Sequence, residues 1–185
     1  MRVMTNVERF RARLQTARVL WGALVGSTVM FTVLGVTLPV SPHARPAPNL
    51  LPIFWVLSLA VAVTSFVLPA RQAKIAAGAR EIELVPGPPL PGTQRPTVTF
   101  ANPAAAASSA FAVSNTALIL AMALSEAVTL FGFALHMIGG PIAGTLPMSL
   151  FGVVLAAARF PTVAKMVGAY ERAHGATFAP GDVPE

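Results

Sequence analysis

The sequence predicts an all-α, polytopic membrane protein with four transmembrane helices in two antiparallel hairpins. Three observations lead to this prediction. Hydrophobic residues make up 55% of the chain and charged residues only 11%, whereas a soluble domain is about a quarter charged. Four apolar segments approach the roughly 20 residues that a helix needs to cross a bilayer. Basic residues concentrate in alternate connecting segments, as the positive-inside rule requires.

The first hairpin, residues 19–69, follows a basic cytoplasmic N-terminus at residues 1–18. Its first span is predicted at Val19–Leu38. That segment is too long for the apolar part of a signal peptide and lacks a small-residue cleavage pattern, so we expect a retained anchor. The second span is predicted at Leu50–Leu68 and is closed by Pro69, because proline cannot donate the next helical hydrogen bond.

The second hairpin, residues 112–160, contains a third span at Ala112–Ile138 and a fourth at Ile142–Phe160. Pro147 interrupts the fourth span. The two spans are separated only by the short sequence GGP, which is typical of a tight turn. A turn this short makes the two helices antiparallel neighbours.

A cytoplasmic, proline-rich loop at residues 70–111 joins the hairpins, and a cytoplasmic tail occupies residues 161–185. The start of the loop, Arg71–Leu84, is predicted to continue the second span as a short surface helix. The stretch PGPPLPGTQRPTVTFANP is predicted to be an extended linker. The last residues, FAPGDVPE, are expected to be disordered.

The basic residues predict the orientation of the spans. All lysines and arginines except Arg45 lie in the N-terminus, in the loop or after the fourth span: Arg2, Arg9, Arg11, Arg13, Arg18, Arg71, Lys74, Arg80, Arg95, Arg159, Lys165 and Arg172. Only an even number of spans puts these three segments on one side. We therefore expect both termini in the cytoplasm and a multi-pass protein of a bacterial plasma (inner) membrane.

Several function classes are disfavoured. The chain has no cysteine, which excludes disulfides, thiolate metal sites and thiol nucleophiles. His43, His136 and His174 fall on different sides of the predicted bilayer, so no metal site and no cofactor are expected. Nucleic acid is not an expected partner because the basic residues form no patch with interleaved aromatic residues. No enzymatic activity is expected, since Glu126 is the only mid-span candidate for a catalytic group.

The stretch ALSEAVTLFG contains Glu126, near the middle of the third span. An isolated carboxylate at that depth costs at least about 2.5–3.5 kcal/mol on insertion scales. No lysine or arginine lies mid-span to pair with it, and Arg159, at the cytoplasmic end of the fourth span, is expected to extend outward. We therefore expect a neutral acid that needs a hydrogen-bond partner.

Asn115 and Thr129 share the face of Glu126 at helical spacing, giving a candidate intramembrane polar site of three residues. Hydroxyl side chains at similar depth in the first two spans are candidate partners: Ser27, Thr28 and Ser58.

Three interpretations of this site remain open. Glu126 is a buried hydrogen-bonding group that fixes helix packing, a protonatable site for a proton or sodium ion, or a polar contact to another membrane subunit. The expected partners are the lipid bilayer and either another membrane subunit or a second copy of the chain. Gly22 and Gly26 form a small-xxx-small pair that would let the first span approach a neighbour closely.

The sequence ALSEAVTLFGFAL resembles the carboxylate helix of subunit c of F-type and V-type ATPases, which matches Glu126, Phe131 and Gly132. That resemblance implies ion handling at Glu126. The chain departs from the family in lacking the alternating glycines of its partner helix and in replacing its short polar loop by a long proline-rich one.

The whole chain is similar to a group of bacterial four-span membrane proteins with an ALxEgxxlfg-like motif in the third span and an R/F-P-T-like stop after the fourth. The matching residues are Ala123, Leu124, Glu126, Leu130, Phe131, Gly132, Arg159, Phe160, Pro161 and Thr162. This resemblance implies the topology and no particular activity.

Overall fold

The computed structural model describes residues 5–40, 49–79, 82–87, 97–179 and 181–183. His43, Arg45 and residues 88–96 of the predicted linker lie outside these ranges. The described part of the chain is mostly helical. Its elements are α1 (Asn6–Thr37), α2 (Leu50–Gly78), β1 (Leu84–Gly87), β2 (Thr97–Phe100), α3 (Pro103–Met137), α4 (Ile142–Ala157) and α5 (Val163–His174).

Three helices of the described chain, α1, α2 and α3, are long and apolar enough to cross a membrane. They contain 32, 29 and 35 residues. The fourth predicted span corresponds to α4, an apolar helix of 16 residues. The structure therefore supports a membrane-spanning chain with three long candidate spans and one shorter apolar helix.

The helices extend well beyond the predicted apolar spans. α1 begins at Asn6 rather than near Val19, because Thr5 and Glu8 form a capping box. The Thr5 amide donates to Glu8 Oε2 at 2.7 Å, and the Glu8 amide donates to Thr5 Oγ1 at 3.2 Å. α3 begins at Pro103, where Asn102 Oδ1 accepts from the Ala105 amide at 3.1 Å.

The prediction that Pro69 closes the second span is wrong. α2 continues through this proline to Gly78. The prediction that Arg71–Leu84 continues the span holds as far as Gly78, and the segment then leaves the helix so that Leu84 begins β1.

The all-α prediction also needs correction in the proline-rich loop. β1 and β2 pair antiparallel, with Leu84 opposite Phe100 and Gly87 opposite Thr97. Polar and apolar residues alternate in the sequence TVTF of β2, which is typical of a strand. The strand forms despite the glycine and proline residues around it. The described residues of the predicted linker therefore include a short two-stranded ladder, formed by β1 and β2.

The tail contains a helix that the sequence prediction missed. Thr162 caps the N-terminus of α5 by accepting from the Lys165 amide at 3.3 Å. Gly175 ends α5 with a φ of 62°, a left-handed conformation that glycine adopts without steric cost. The expected disorder of the final residues is also wrong for Phe178, whose ring lies 4.7 Å from that of Phe100.

The described chain separates into two compact units. The first, called here the polar-segment unit, comprises the chain up to Arg18, from Pro69 to Leu118 and from Pro161 onward. Its interior is apolar and consists of two clusters of buried side chains. They are Phe10, Leu14, Ala17, Ala107, Phe111, Met166 and Val167 in one, and Ala77, Phe100, Ala106, Ala110, Tyr170 and Ala176 in the other.

The second unit, called here the apolar-helix unit, comprises Val19–Leu68 and Ile119–Phe160. Its apolar cluster is small and contains Ala62, Val128 and Leu155. Besides further buried apolar residues such as Met122, Leu135 and Met148, the described part of this unit buries a set of hydroxyl residues: Thr28, Thr32, Ser58, Ser65, Ser125, Thr129, Thr145 and Ser149.

Candidate functional site

Glu126 lies on α3 and is bonded to a hydroxyl of α1. Ser27 Oγ donates to Glu126 Oε1 at 2.6 Å, a length typical of a hydroxyl bonded to a carboxylate. Both side chains are half-buried. Thr28, the next residue on α1, instead donates its Oγ1 hydrogen to the Leu24 carbonyl of its own helix at 2.7 Å. Of the two hydroxyl candidates on α1, only Ser27 therefore reaches the carboxyl group.

Thr129 forms a different contact, with α4. Thr129 Oγ1 donates to the Ser149 carbonyl at 3.2 Å, and Ser149 Oγ donates to the Thr129 carbonyl at 3.3 Å. Both side chains are buried. The pair of reciprocal bonds satisfies two hydroxyls and joins α3 to α4 directly.

The approach of α4 to α3 requires glycine on both helices. A Cβ on Gly152 would lie 2.7 Å from the Thr129 amide nitrogen and 2.8 Å from the Ser125 carbonyl oxygen. A Cβ on Gly132 would lie 2.8 Å from the Thr145 carbonyl oxygen. Backbone atoms cannot move aside as a side chain can, so these positions exclude any larger residue.

The same spacing occurs on both helices of this contact. Ser125, Thr129 and Gly132 on α3 face Thr145, Ser149 and Gly152 on α4, each set at positions i, i+4 and i+7. We call these six residues the α3–α4 seam. Small and hydroxyl residues at this spacing let two helix backbones come close and bond to each other, as at helix interfaces in membranes.

The three residues of the predicted polar stripe therefore do not form one site. Glu126 bonds to α1, whereas Thr129 bonds to α4. Asn115 is half-buried and lies eleven residues before Glu126 on the same helix, roughly 16 Å along the axis. Equal helical phase puts residues on one face, but separation along the axis and the position of each neighbouring helix decide which of them meet.

Arg159 was not predicted to take part in the site, and it does not extend outward as expected. Its Nη1 donates to the Ser65 carbonyl of α2 at 2.9 Å, and its Nη2 donates to Ser65 Oγ at 2.6 Å. The guanidinium carbon also lies 4.5 Å from the centre of the Phe66 ring.

The contact explains how α2 continues through Pro69. In an α-helix the Ser65 carbonyl accepts from the amide four residues later, and Pro69 has no N–H to donate. Arg159 supplies the missing donor from outside the helix. In the sequence, Arg159 lies at the end of one apolar segment and Pro69 at the end of another. This pattern does not predict that the two residues are close in space.

Trp21 contacts α4, whereas Gly22 and Gly26 lie on an exposed part of α1. Trp21 Nε1 donates to the Ala156 carbonyl of α4 at 3.0 Å, and its ring packs edge-on against Phe160 at 5.0 Å between centroids. Gly22 and Gly26 are exposed, and nothing lies within 4 Å of a Cβ built on either. Among the residues that the structure describes, the small-xxx-small pair therefore brings no helix close to α1.

The described residues contain no group of three or more His, Asp or Glu side chains that could hold a metal ion. Ser58 Oγ, on α2, is buried and has no hydrogen-bond partner among the described residues. The arrangement provides one carboxyl group, one bonded hydroxyl and several satisfied hydroxyls, which suits hydrogen bonding between helices.

Comparison with known protein families, with characterised proteins and with solved structures finds no match to this chain.

Proposed function

We propose that this chain is a four-span integral membrane protein with a structural or accessory role, and that Glu126 is an intramembrane hydrogen-bonding group at a helix interface. The observation that carries the proposal is the 2.6 Å bond from Ser27 Oγ to Glu126 Oε1. It gives the carboxyl group a neutral partner on another helix. We place the protein in a plasma (inner) membrane with both termini in the cytoplasm.

The composition of the polar-segment unit supports four crossings. The N-terminal, loop and C-terminal segments belong to one compact unit, and the two apolar stretches between them belong to the other. Each apolar stretch thus leaves the polar-segment unit and returns to it, as two hairpins with cytoplasmic termini require. α4 has 16 residues and is about 24 Å long, which a bilayer accommodates by local thinning.

The outer surface of the apolar-helix unit supports contact with lipid. Among the described residues, all but four of the exposed large hydrophobic side chains belong to this unit. In the most apolar windows of α1 and α2, only 11% and 17% of residues are buried, against 39% for α3. α3 is accordingly the central helix, and α1 and α2 offer wide apolar faces to hydrocarbon or to another membrane subunit.

The hydrogen-bonding role predicts which substitutions of Glu126 are tolerated. Glu126→Gln keeps a carbonyl oxygen that accepts from Ser27, so its free energy of unfolding in detergent micelles should stay close to that of the wild type. Glu126→Leu removes the acceptor and should lose about 0.6–2 kcal/mol. Thr64→Val is the matched control, because Thr64 is exposed and bonds only to its own helix at Ala60. Equal stability of Glu126→Leu and the wild type would contradict the structural role.

A second candidate function is proton or ion handling at Glu126. It is favoured by the incomplete burial of Glu126, which is half-buried rather than enclosed. In that case Glu126→Gln abolishes proton or sodium flux in reconstituted vesicles while leaving stability unchanged. A carbodiimide that labels Glu126 and is blocked by sodium would support the same function. Wild-type flux in the Glu126→Gln variant would end this alternative.

The topology can be tested directly because the chain has no cysteine. Single cysteines replacing Val40 and Pro141 should react with a membrane-impermeant maleimide on intact cells. Cysteines replacing Thr5, Ala101 and Ala179 should react only after permeabilisation. Labelling of Ala179→Cys on intact cells, with Thr5→Cys protected, would indicate an odd number of spans and exclude the two-hairpin arrangement.

A further inference from the structure

The polar-segment unit contains a cleft of about 370 Å³ between the last turns of α2 and the outer face of α5. Three alanines and two cations account for most of its lining: Ala73, Ala169, Ala173, Lys74 and Arg172. Ala73 is buried, and the cationic side chains are exposed at the rim. The floor is therefore apolar and shallow, and the rim is positively charged.

No carboxylate lines the described cleft to neutralise these charges. Glu171, beside Arg172 on α5, is turned to the tail, where its Oε1 accepts from the Phe178 amide at 3.1 Å. A Cβ on Gly168 would lie 3.3 Å from Arg172 Nη1, so this glycine leaves the room in which the guanidinium group lies. Two cations beside an uncompensated cleft form a site for an anion.

With Leu68 taken as the cytoplasmic end of the membrane-crossing part of α2, where the apolar stretch gives way to Arg71 and Lys74, the cleft falls at the depth of lipid headgroups. Ala70, which also lines it, stands two residues after Leu68, the end of the predicted second span, and Lys74 stands six residues after it on the same continuous helix. These separations correspond to about 3 Å and 9 Å along the helix axis. The headgroup layer on each side of a bilayer is roughly 5–8 Å thick. A phosphate at this depth belongs most directly to a lipid.

The geometry points to a binding site for an acidic phospholipid in this cleft, with Lys74 and Arg172 contacting the headgroup phosphate and the alanine floor receiving the glycerol backbone. The inference rests on the proposed membrane topology, since the depth of the cleft is counted from the second span. Phosphate groups also occur free in the cytosol. We propose a lipid rather than inorganic phosphate, because the apolar floor of the cleft can contact the glycerol backbone of a lipid but would not stabilise bound inorganic phosphate.

The test is to measure the lipids retained by the full chain. The wild type, the Lys74→Gln/Arg172→Gln variant and an Arg11→Gln/Arg71→Gln control would be reconstituted in nanodiscs of mixed phosphatidylcholine and phosphatidylglycerol. Native mass spectrometry then reports the bound lipid. The control removes the same charge from exposed positions outside the cleft. The wild type and the control should both enrich phosphatidylglycerol, and the cleft variant should bind it about thirty-fold more weakly.

Equal enrichment in the cleft variant and the control would overturn the site. Displacement of phosphatidylglycerol by an excess of inorganic phosphate, in the wild type but not in the cleft variant, would overturn the commitment to lipid by revealing a free-anion site. Unchanged thermal unfolding of the cleft variant shows that its effect is not a loss of fold. Failure of the four-span topology would appear in the cysteine labelling, whereas failure of this inference appears only in the lipid profile of correctly inserted protein.

Discussion

The two units of this chain differ in the side chains that they bury. The polar-segment unit buries aromatic and aliphatic side chains, such as Phe10, Phe111 and Tyr170. The apolar-helix unit buries serine, threonine and glycine residues beside apolar ones such as Met122 and Leu135, and many of its valines and leucines are exposed. Among the described residues of the polar-segment unit, Ser114 is the one buried serine or threonine.

The difference follows from the solvent that each unit is built for. In water, removal of apolar surface is the main favourable term, so large hydrophobic residues go inside. In hydrocarbon that term vanishes between helices, and close backbone packing and interhelical hydrogen bonds replace it. The same chain therefore obeys two packing rules, and substitutions of the same size should have different consequences in the two units.

The largest expected effect is in the aromatic core of the polar-segment unit. Phe10 is 3% exposed, and its ring packs edge-on against Phe111 with centroids 6.2 Å apart. Phe10→Ala should cost about 3–5 kcal/mol because it opens a cavity. Hydrogen exchange should show loss of protection in α5, with protection retained in α3 from Ile119 onward. Ile75→Ala, at an exposed position, is the control. Equal loss of protection in both units would show that they are not separate structures.

The next effect is at the α3–α4 seam. Gly152→Leu puts a side chain against the backbone of Thr129 and Ser125, which should cost about 1–3 kcal/mol or more through overpacking. The control is Gly22→Leu on α1, where nothing lies within 4 Å of the new Cβ. Its free energy of unfolding in micelles should not fall. A comparable loss in both variants would mean that Gly22 also faces a neighbour, such as a second copy of the chain.

An effect of similar size is expected for the contact that replaces the missing donor of Pro69. Arg159→Leu leaves the Ser65 carbonyl without its guanidinium partner, and bonds to charged groups contribute about 1.5–3 kcal/mol. In the Pro69→Ala background a backbone N–H can bond to Ser65 instead. The cost of Arg159→Leu should therefore fall by at least half in that background. Additive losses in a double-mutant cycle, measured by unfolding in micelles, would show that the two positions are independent.

The smallest effect is expected for the partner of Glu126. Ser27→Ala removes one hydroxyl donor, and interhelical hydrogen bonds in membranes average only about 0.6 kcal/mol. The same substitution combined with Glu126→Leu should cost little more than Glu126→Leu alone, since the bond is already lost. If the losses of the two single variants add fully in the double variant, Glu126 stabilises the protein through contacts other than its hydrogen bond with Ser27.

Parts of the fold were visible in the sequence. Apolar length located α1, α2 and α3, because hydrocarbon thickness fixes the minimum length of a spanning helix. The sequence also contains capping signals for the parts of α1 and α3 that extend beyond the predicted spans. The T-x-x-E pattern at Thr5–Glu8 predicts a helix start, and Asn102 followed by Pro103 predicts another. The Thr162 cap and Gly175 bracket α5 in the same way.

Other features were decided by the tertiary structure alone. Helical phase put Asn115, Glu126 and Thr129 on one face, but only the positions of α1 and α4 determine that Glu126 meets Ser27 and Thr129 meets Ser149. Local sequence likewise shows Pro69 as a stop, and only a guanidinium group from a distant segment makes it tolerable. Periodicity and composition act within a helix and fix what each helix is, whereas partners depend on which faces of separate helices are brought into contact, and no local pattern records that choice.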